Sequence, residues 1–175
     1  CQDARLANGG QMHEGEVNTR IGLKGIPALA EELAVARDLY LAEYNNLAIH
    51  FSHITTKGAV NLIRQSRSKG LNVTASVPAH HLGLSDDSVE DFESNFKVSP
   101  PFRRKEDIAA LKRGLLDGTI DAIVSDHEPH EVESKFSEFS QAQPGIIALE
   151  TAFSVALVSL SKKMTLGQII DKFTT

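Results

Sequence analysis

Hydrophobic residues along the chain alternate between helical spacing and short continuous runs. Spacings of three and four residues predict amphipathic helices, whereas short apolar runs predict buried strands. In order, the pattern predicts a helix over 27–44, a strand over 47–53, a helix that Thr55 or Thr56 caps and Gly70 ends, a strand over 71–77, a helix over 105–118, a strand over 119–126 and a largely apolar helix over 145–160. Because strands alternate with helices, we expect parallel pairing with right-handed crossovers, and therefore an α/β fold.

Composition narrows the class of protein. The chain has 175 residues, of which 41% are hydrophobic, enough for one domain or for part of a larger one. A net charge of −5 argues against nucleic acid as a partner, because its recognition begins with a basic face. No apolar run approaches the roughly 20 residues that span a bilayer, and the single cysteine, Cys1, allows no internal disulfide. These features predict a cytoplasmic protein without a membrane partner.

The first residues predict that the chain is cut from a longer one. They include no initiator methionine, and the opening segment CQDARLANGGQMHEGE is polar and lacks the apolar core of a signal peptide. We therefore expect further sequence upstream of residue 1.

Polar side chains follow each predicted strand. His53 comes after the first strand, His80-His81 soon after the second, and Asp126-His127 at the end of the third. Parallel sheets bury both faces, so ligand-binding groups collect at the carboxyl ends of their strands. The sequence therefore predicts a polar site at this edge of the sheet.

Each candidate in this site has an ordinary alternative. A carboxylate at a buried strand end must be paired, hydrogen-bonded or metal-bound, and the alternative is an Asp126 that caps the following turn. The alternative for His53 is a core histidine bonded to backbone. His50, three residues earlier on a strand, points to the opposite face and cannot share an ion with His53. At least one of His80 and His81 is expected to have a packing role.

The turn after the third predicted strand offers further donors. His127 and His130 flank Pro129, which allows two of the group Asp126, His127 and His130 to converge on one ligand. Two other segments are given no ligand role. The segment TTKGAV lacks the spacing of a phosphate loop, and the acidic run over 85–93 is interpreted as a solvated helix start.

Four segments resemble the class I dihydroorotases of the amidohydrolase superfamily, in the family's order and spacing. They are FSHITTKGAVNLIRQSRSKGLNVTASVPAHHLGLSD, NFKVSPPFR, DGTIDAIVSDHEPHEVESK and GIIALETA. The resemblance implies the C-terminal portion, about strands six to eight with their helices, of a (β/α)₈ barrel. Residues 1–175 would then be one partial barrel domain.

The same resemblance implies a zinc-dependent enzyme of de novo pyrimidine biosynthesis that interconverts N-carbamoyl-L-aspartate and L-dihydroorotate. By motif, His53 would be a zinc ligand, and Asp126 would be both a ligand and the general base. His130 would bind substrate, as would three residues at the family's other contact positions: Ser99, Pro144 and Gly145. Zinc bonds of about 2.0–2.2 Å require donor atoms of His53 and Asp126 to lie within roughly 4.5 Å of each other.

Departures from the family pattern leave other functions open. Ser99 stands where the family has Asn, Pro144 where it has Phe, and TASVPA where it has TAEVTP. The resemblance implies that the family's remaining ligands for one or two zinc ions would lie upstream of residue 1. The alternatives are a non-catalytic dihydroorotase-like subunit that supports aspartate transcarbamoylase, and a sister allantoinase or hydantoinase. Retention of His53, Asp126 and His130 favours the enzyme, which the resemblance implies to be a homo-oligomer.

Overall fold

A computed structural model describes residues 1–174 of the chain, with strands and helices in alternation. The strands are β1 (Met12–His13), β2 (Gly25–Ile26), β3 (Ile49–Phe51), β4 (Val73–Pro78) and β5 (Ala122–Val124). The helices are α1 (Glu16–Ile21), α2 (Leu29–Asn45), α3 (Lys57–Ser68), α4 (Lys105–Leu116), α5 (Val132–Lys135), α6 (Ala152–Leu160) and α7 (Leu166–Thr174). Short 3₁₀ turns cover Ala79–Leu82, Asp86–Val89 and Ser94–Phe96.

The three predicted strands form one parallel sheet in the order β3-β4-β5. Phe51 pairs with Ala75 across the first interface, and Val77 pairs with Ile123 across the second. The parallel α/β prediction is therefore confirmed, and β4 lies in the centre of the sheet. This order brings the carboxyl ends of all three strands to one edge.

A second, two-stranded parallel sheet pairs β1 with β2. The sequence did not predict it, because each strand has only two residues and shows no measurable alternation. Met12 in β1 is buried in a small cluster with residues that follow β4, including Val98 and Phe102. The small sheet thus packs against the loop between β4 and α4.

Two predicted helical segments differ from the structure. The apolar helix expected from residue 145 begins only at Ala152, because earlier backbone amides bond to other segments. Gly145 N–H donates to the Lys97 carbonyl at 2.8 Å, and the N–H groups of residues 148 and 149 donate to a histidine ring. The acidic run over 85–93 holds only a short 3₁₀ turn, and Asp86 is buried rather than solvated.

Candidate metal centre and adjoining cleft

His53 lies immediately beyond the carboxyl end of β3, in left-handed backbone with φ of 57°. The chain then passes directly into Thr55 and Thr56, both fully buried. Thr56 is the helix cap that the sequence predicted for α3, because its Oγ1 accepts from Ala59 N–H at 3.2 Å. His53 is thus held between a strand and a capped helix.

A buried carboxylate on α2 fixes the two threonines. The Glu31 carboxylate accepts from Thr55 N–H at 2.9 Å and from Thr56 N–H at 2.8 Å, and both threonine hydroxyls also donate to it. Arg103 lies beside this cluster, with Nη2 3.9 Å from Glu31 Oε2 and Nε donating to Thr55 Oγ1 at 3.1 Å. We call these four residues the Glu31 clasp. Since the clasp begins two residues after His53, it restricts where the imidazole can lie.

Asp126 lies beyond the carboxyl end of β5, also in left-handed backbone, with φ of 49°. Its Oδ1 lies 3.5 Å from His53 Nε2, within the separation that the sequence analysis required of two donors to one ion. The two side chains therefore share the carboxyl edge of the sheet. Their role as metal ligands stays a prediction.

His80 is a third member of this group that the sequence analysis left unassigned. Its Nε2 lies 3.5 Å from the second oxygen of Asp126, Oδ2. The side chain is only 4% exposed, and neither ring nitrogen has a hydrogen-bond partner. The missing signal was strand order, because only a central β4 brings His80 between the ends of β3 and β5.

His81 has the packing role that the sequence predicted for one of the pair. Its ring is buried against Phe102, with ring centroids 5.3 Å apart, and its Nε2 lies 3.3 Å from the Pro101 carbonyl oxygen. His80 and His81, although adjacent, therefore have different surroundings.

Burial sets the charges in the candidate centre. Burial raises the pKa of the Asp126 carboxyl, while His53 lowers it and Glu128 raises it. Burial also lowers the pKa of His80 to about 4, with a smaller contribution from His53. The His80 imidazole is therefore neutral at pH 7, the form in which one ring nitrogen donates and the other accepts.

A separate cleft of about 770 Å³ is lined by residues of the segment that follows Asp126, among them Glu128 and His130, and by Gly145. His130 Nε2 lies 2.9 Å from the Pro144 carbonyl oxygen, so that nitrogen carries the proton and donates. Lys135 Nζ donates to the Gly145 carbonyl at 2.9 Å and fixes the same loop. Three of the predicted substrate residues, His130, Pro144 and Gly145, are therefore neighbours.

Other predicted or excluded residues lie apart from both groups. Ser99 is exposed in the bend before the two prolines and is not part of the cleft lining. His127 does not converge on a ligand, because its Nδ1 accepts from the N–H groups of Ala148 and Leu149. The His50 ring bonds to the hydroxyls of Thr74 and Ser76, as expected of a residue that does not share an ion with His53.

His53 and Asp126 are of the right chemical type to bind a divalent metal, but they are fewer than a complete site requires. An imidazole nitrogen and a carboxylate oxygen are both zinc donors, and zinc sites take three or four protein ligands. No group of three or more His, Cys, Asp or Glu side chains within residues 1–174 is arranged to hold a metal ion. His53 and Asp126 therefore fit as two of the ligands that zinc would need.

The chain is similar to known sequences, in part to a family model and over nearly its whole length to individual proteins. A model of the family described as Dihydro-orotase-like matches residues 1–59. A dihydroorotase from Syntrophus aciditrophicus (strain SB) is 45% identical over 175 residues, which are 99% of this chain and 41% of that protein. The chain thus spans about two fifths of the length of this curated relative.

Solved structures agree at the level of the fold. The L-hydantoinase (dihydropyrimidinase) from Arthrobacter aurescens matches with a TM-score of 0.76 and 28% identity, over 83% of this chain and 34% of that one. The dihydroorotase from Saccharomyces cerevisiae, solved with 5-fluoroorotic acid, matches with a TM-score of 0.73 and 22% identity, over 94% of this chain and 45% of that one.

Fold and comparisons together show similarity to two kinds of protein, dihydroorotases and hydantoinases. Of these two kinds, the sequence is similar to dihydroorotases over nearly its whole length, and the predicted resemblance to that family is confirmed. Within residues 1–174, no helix is both long and apolar enough to cross a membrane.

Proposed function

We propose that this chain is part of a zinc-dependent cyclic amidohydrolase that interconverts N-carbamoyl-L-aspartate and L-dihydroorotate in pyrimidine biosynthesis. The observation that carries the proposal is the pairing of His53 Nε2 with Asp126 Oδ1 at 3.5 Å, at the carboxyl edge of a parallel sheet. In the complete protein, β3, β4 and β5 would be strands six to eight of a (β/α)₈ barrel, whose active site lies at that edge.

The residues of this chain have separable roles in the proposed reaction. For ring opening, a water oxygen adds to the ring amide carbonyl carbon and the carbon–nitrogen bond breaks. Asp126 accepts a proton from that water and returns it to the departing nitrogen, and the reverse sequence closes the ring. Zinc, which His53 and Asp126 would help to hold, supplies Lewis-acid activation of water and carbonyl when it is bound.

Substrate binding falls to the loop around the adjoining cleft. The His130 ring is partly exposed there, and Gly145 and the carbonyl of Pro144 lie against it. Because Nε2–H donates to the Pro144 carbonyl, the ring would donate to an anionic carboxylate through Nδ1 as the imidazolium cation. Ser99 is proposed as a contact by motif alone. We also infer a cytoplasmic homo-oligomer with a small-molecule substrate and aspartate transcarbamoylase as a candidate partner.

A sister hydantoinase-type function is the second candidate. It is supported by the structural match to the Arthrobacter aurescens L-hydantoinase, which at 28% identity has a TM-score of 0.76. The stronger sequence similarity to dihydroorotases favours the first candidate.

Substrate profiling of the complete parent protein tests both candidates. Purified protein with zinc is assayed with dihydroorotate, allantoin and hydantoins, and the reverse reaction is assayed with N-carbamoyl-aspartate. We expect dihydroorotate and N-carbamoyl-aspartate to be interconverted with the highest kcat/KM. Preference for a hydantoin or allantoin would establish a sister enzyme, and zinc binding without turnover of any substrate would indicate the non-catalytic subunit.

A further inference from the structure

His80 occupies the middle of the candidate metal centre. It lies in the 3₁₀ turn Ala79–Leu82 directly after β4, the central strand of the sheet. A side chain that follows the central strand is adjacent to those that follow both outer strands. The Asp126 carboxylate consequently has His53 Nε2 at 3.5 Å from Oδ1 and His80 Nε2 at 3.5 Å from Oδ2.

Packing alone does not explain the His80 ring. Buried polar groups in proteins are normally hydrogen-bonded, and each one left unpaired lowers the stability of the fold. Both ring nitrogens of His80 are buried without a hydrogen-bond partner. Its neighbour His81 is equally buried, yet it reaches the Pro101 carbonyl at 3.3 Å. The unfavourable burial of both His80 nitrogens indicates a role in the candidate metal centre beside it.

The position of the ring decides which nitrogen carries the proton. A buried N–H without an acceptor is rarer in proteins than an acceptor without a donor, so the proton belongs on the nitrogen that faces an acceptor. That nitrogen is Nε2, which faces Asp126 Oδ2, whereas Nδ1 has no partner. Hydrogen bonds in ligand-free active sites are often long and shorten when the site is complete.

We propose that His80 is a positioning residue: its Nε2–H donates to Oδ2 of Asp126 and holds Oδ1 toward His53, with which Asp126 would help to hold zinc. The proposal rests on the proposed function only in taking Asp126 as a metal ligand and proton acceptor. Without this donor, the carboxylate can rotate about its χ2 bond and exchange its two oxygens. Loss of such an outer-shell partner typically weakens metal binding 10–100-fold.

Two substitutions in the complete parent protein separate positioning from packing. His80→Leu keeps a similar apolar volume but removes the donor, and His80→Gln keeps an amide N–H. The matched control is His81→Gln, which changes the adjacent buried imidazole. Zinc dissociation constants are measured by competition with a chelator, urea unfolding is followed on the metal-free proteins, and kcat and KM are measured at saturating zinc.

We expect His80→Leu to bind zinc 10–100-fold more weakly and to lose kcat with little change in KM. Its metal-free form should be at least as stable as metal-free wild type, because the buried Nδ1 has no partner and Nε2 has only a long contact of 3.5 Å with Asp126 Oδ2. A histidine with a purely structural role would instead leave the variant less stable than wild type. His80→Gln should recover most of the zinc affinity, and His81→Gln should keep wild-type zinc affinity whatever its stability.

Three results would overturn the proposal. The first is wild-type zinc affinity in His80→Leu, and the second is an equal loss of affinity in His81→Gln. The third is a lower zinc stoichiometry in both His80 variants with an altered visible spectrum of the Co²⁺-substituted protein, which would make His80 a ligand. If wild type fails to turn over dihydroorotate, the proposed function fails, yet the zinc measurements still decide the role of His80.

Discussion

Asp126 concentrates the proposed chemistry in one side chain, with an imidazole 3.5 Å from each of its oxygens. Asp126→Asn in the complete parent protein keeps the shape but removes the negative charge and the proton acceptor. We expect turnover to fall roughly 10²–10⁴-fold in both directions, the usual contribution of a general base. Rate assays in each direction, with circular dichroism to verify folding, measure this. Activity near wild type would remove Asp126 from the reaction.

Glu31 has a structural role, as the buried carboxylate at the centre of the Glu31 clasp. Breaking a buried ion pair by removing one partner typically costs about 3–5 kcal/mol, because the other charge stays buried and uncompensated. Glu31→Gln removes from Arg103 the carboxylate that acts on it most strongly, and both side chains are fully buried. We expect a loss of that size in the free energy of unfolding, measured by urea titration of the parent protein. Glu32→Gln, one residue along α2, is the control and should cost far less.

His13 makes stability depend on pH. Burial, reinforced by Arg103 and Arg104, lowers the pKa of this ring to about 3 from an unfolded value of 6.5. Between these values the unfolded chain binds one more proton than the folded chain, so stability falls as pH falls below 6.5. We expect His13→Gln to remove a slope of about 1.4 kcal/mol per pH unit between pH 4 and 6. Urea unfolding at several pH values measures the difference, and parallel slopes would refute it.

At the scale of elements, the loop over 144–151 depends on a glycine. Gly145 has φ of 153°, and a Cβ there would lie 2.5 Å from the Glu128 carbonyl oxygen and 2.7 Å from His130 Cδ2. Gly145→Ala must therefore displace His130. We expect kcat/KM of the parent protein to fall on the order of 10²-fold, the effect of a misplacement of about 1 Å.

A control separates displacement from backbone strain. Gly70 also has positive φ, 89°, but nothing lies within 4 Å of a Cβ built on it. Gly70→Ala should therefore lower stability without changing kcat/KM. Equal kinetic losses in both variants would contradict a specific role for the Gly145 loop.

Hydrophobic periodicity correctly predicted the elements whose formation depends on local sequence. The helices α2, α3 and α4 lie within two residues of their predicted starts, since their apolar faces repeat over several turns. The strands β1 and β2 and the start of α6 depend on pairing with distant segments, which a local pattern does not contain. The proximity of His53 and Asp126 was predicted from motif and strand ends and is confirmed, whereas the proximity of His80 required the strand order.

At the scale of the whole molecule, the sheet β3-β4-β5 ends in two strands that, within residues 1–174, have a partner on one side only. Unpaired parallel edges are templates for association. We expect the isolated 175-residue chain with zinc to show no dihydroorotase activity, because it provides too few zinc ligands. We also expect it to associate through its two open sheet edges. Turnover assays and light scattering after size exclusion test both, and an active, monodisperse monomer would contradict the assignment.

The left-handed backbone at His53 and Asp126 has a consequence for laboratory evolution. Such a conformation costs a residue with a side chain about 1–2 kcal/mol, which glycine avoids. A variant library selected only for survival of heating should therefore drift toward glycine at both positions, whereas a library selected for turnover should retain His and Asp. Sequencing the two libraries in parallel would show where the fold and the reaction impose opposite demands on one residue.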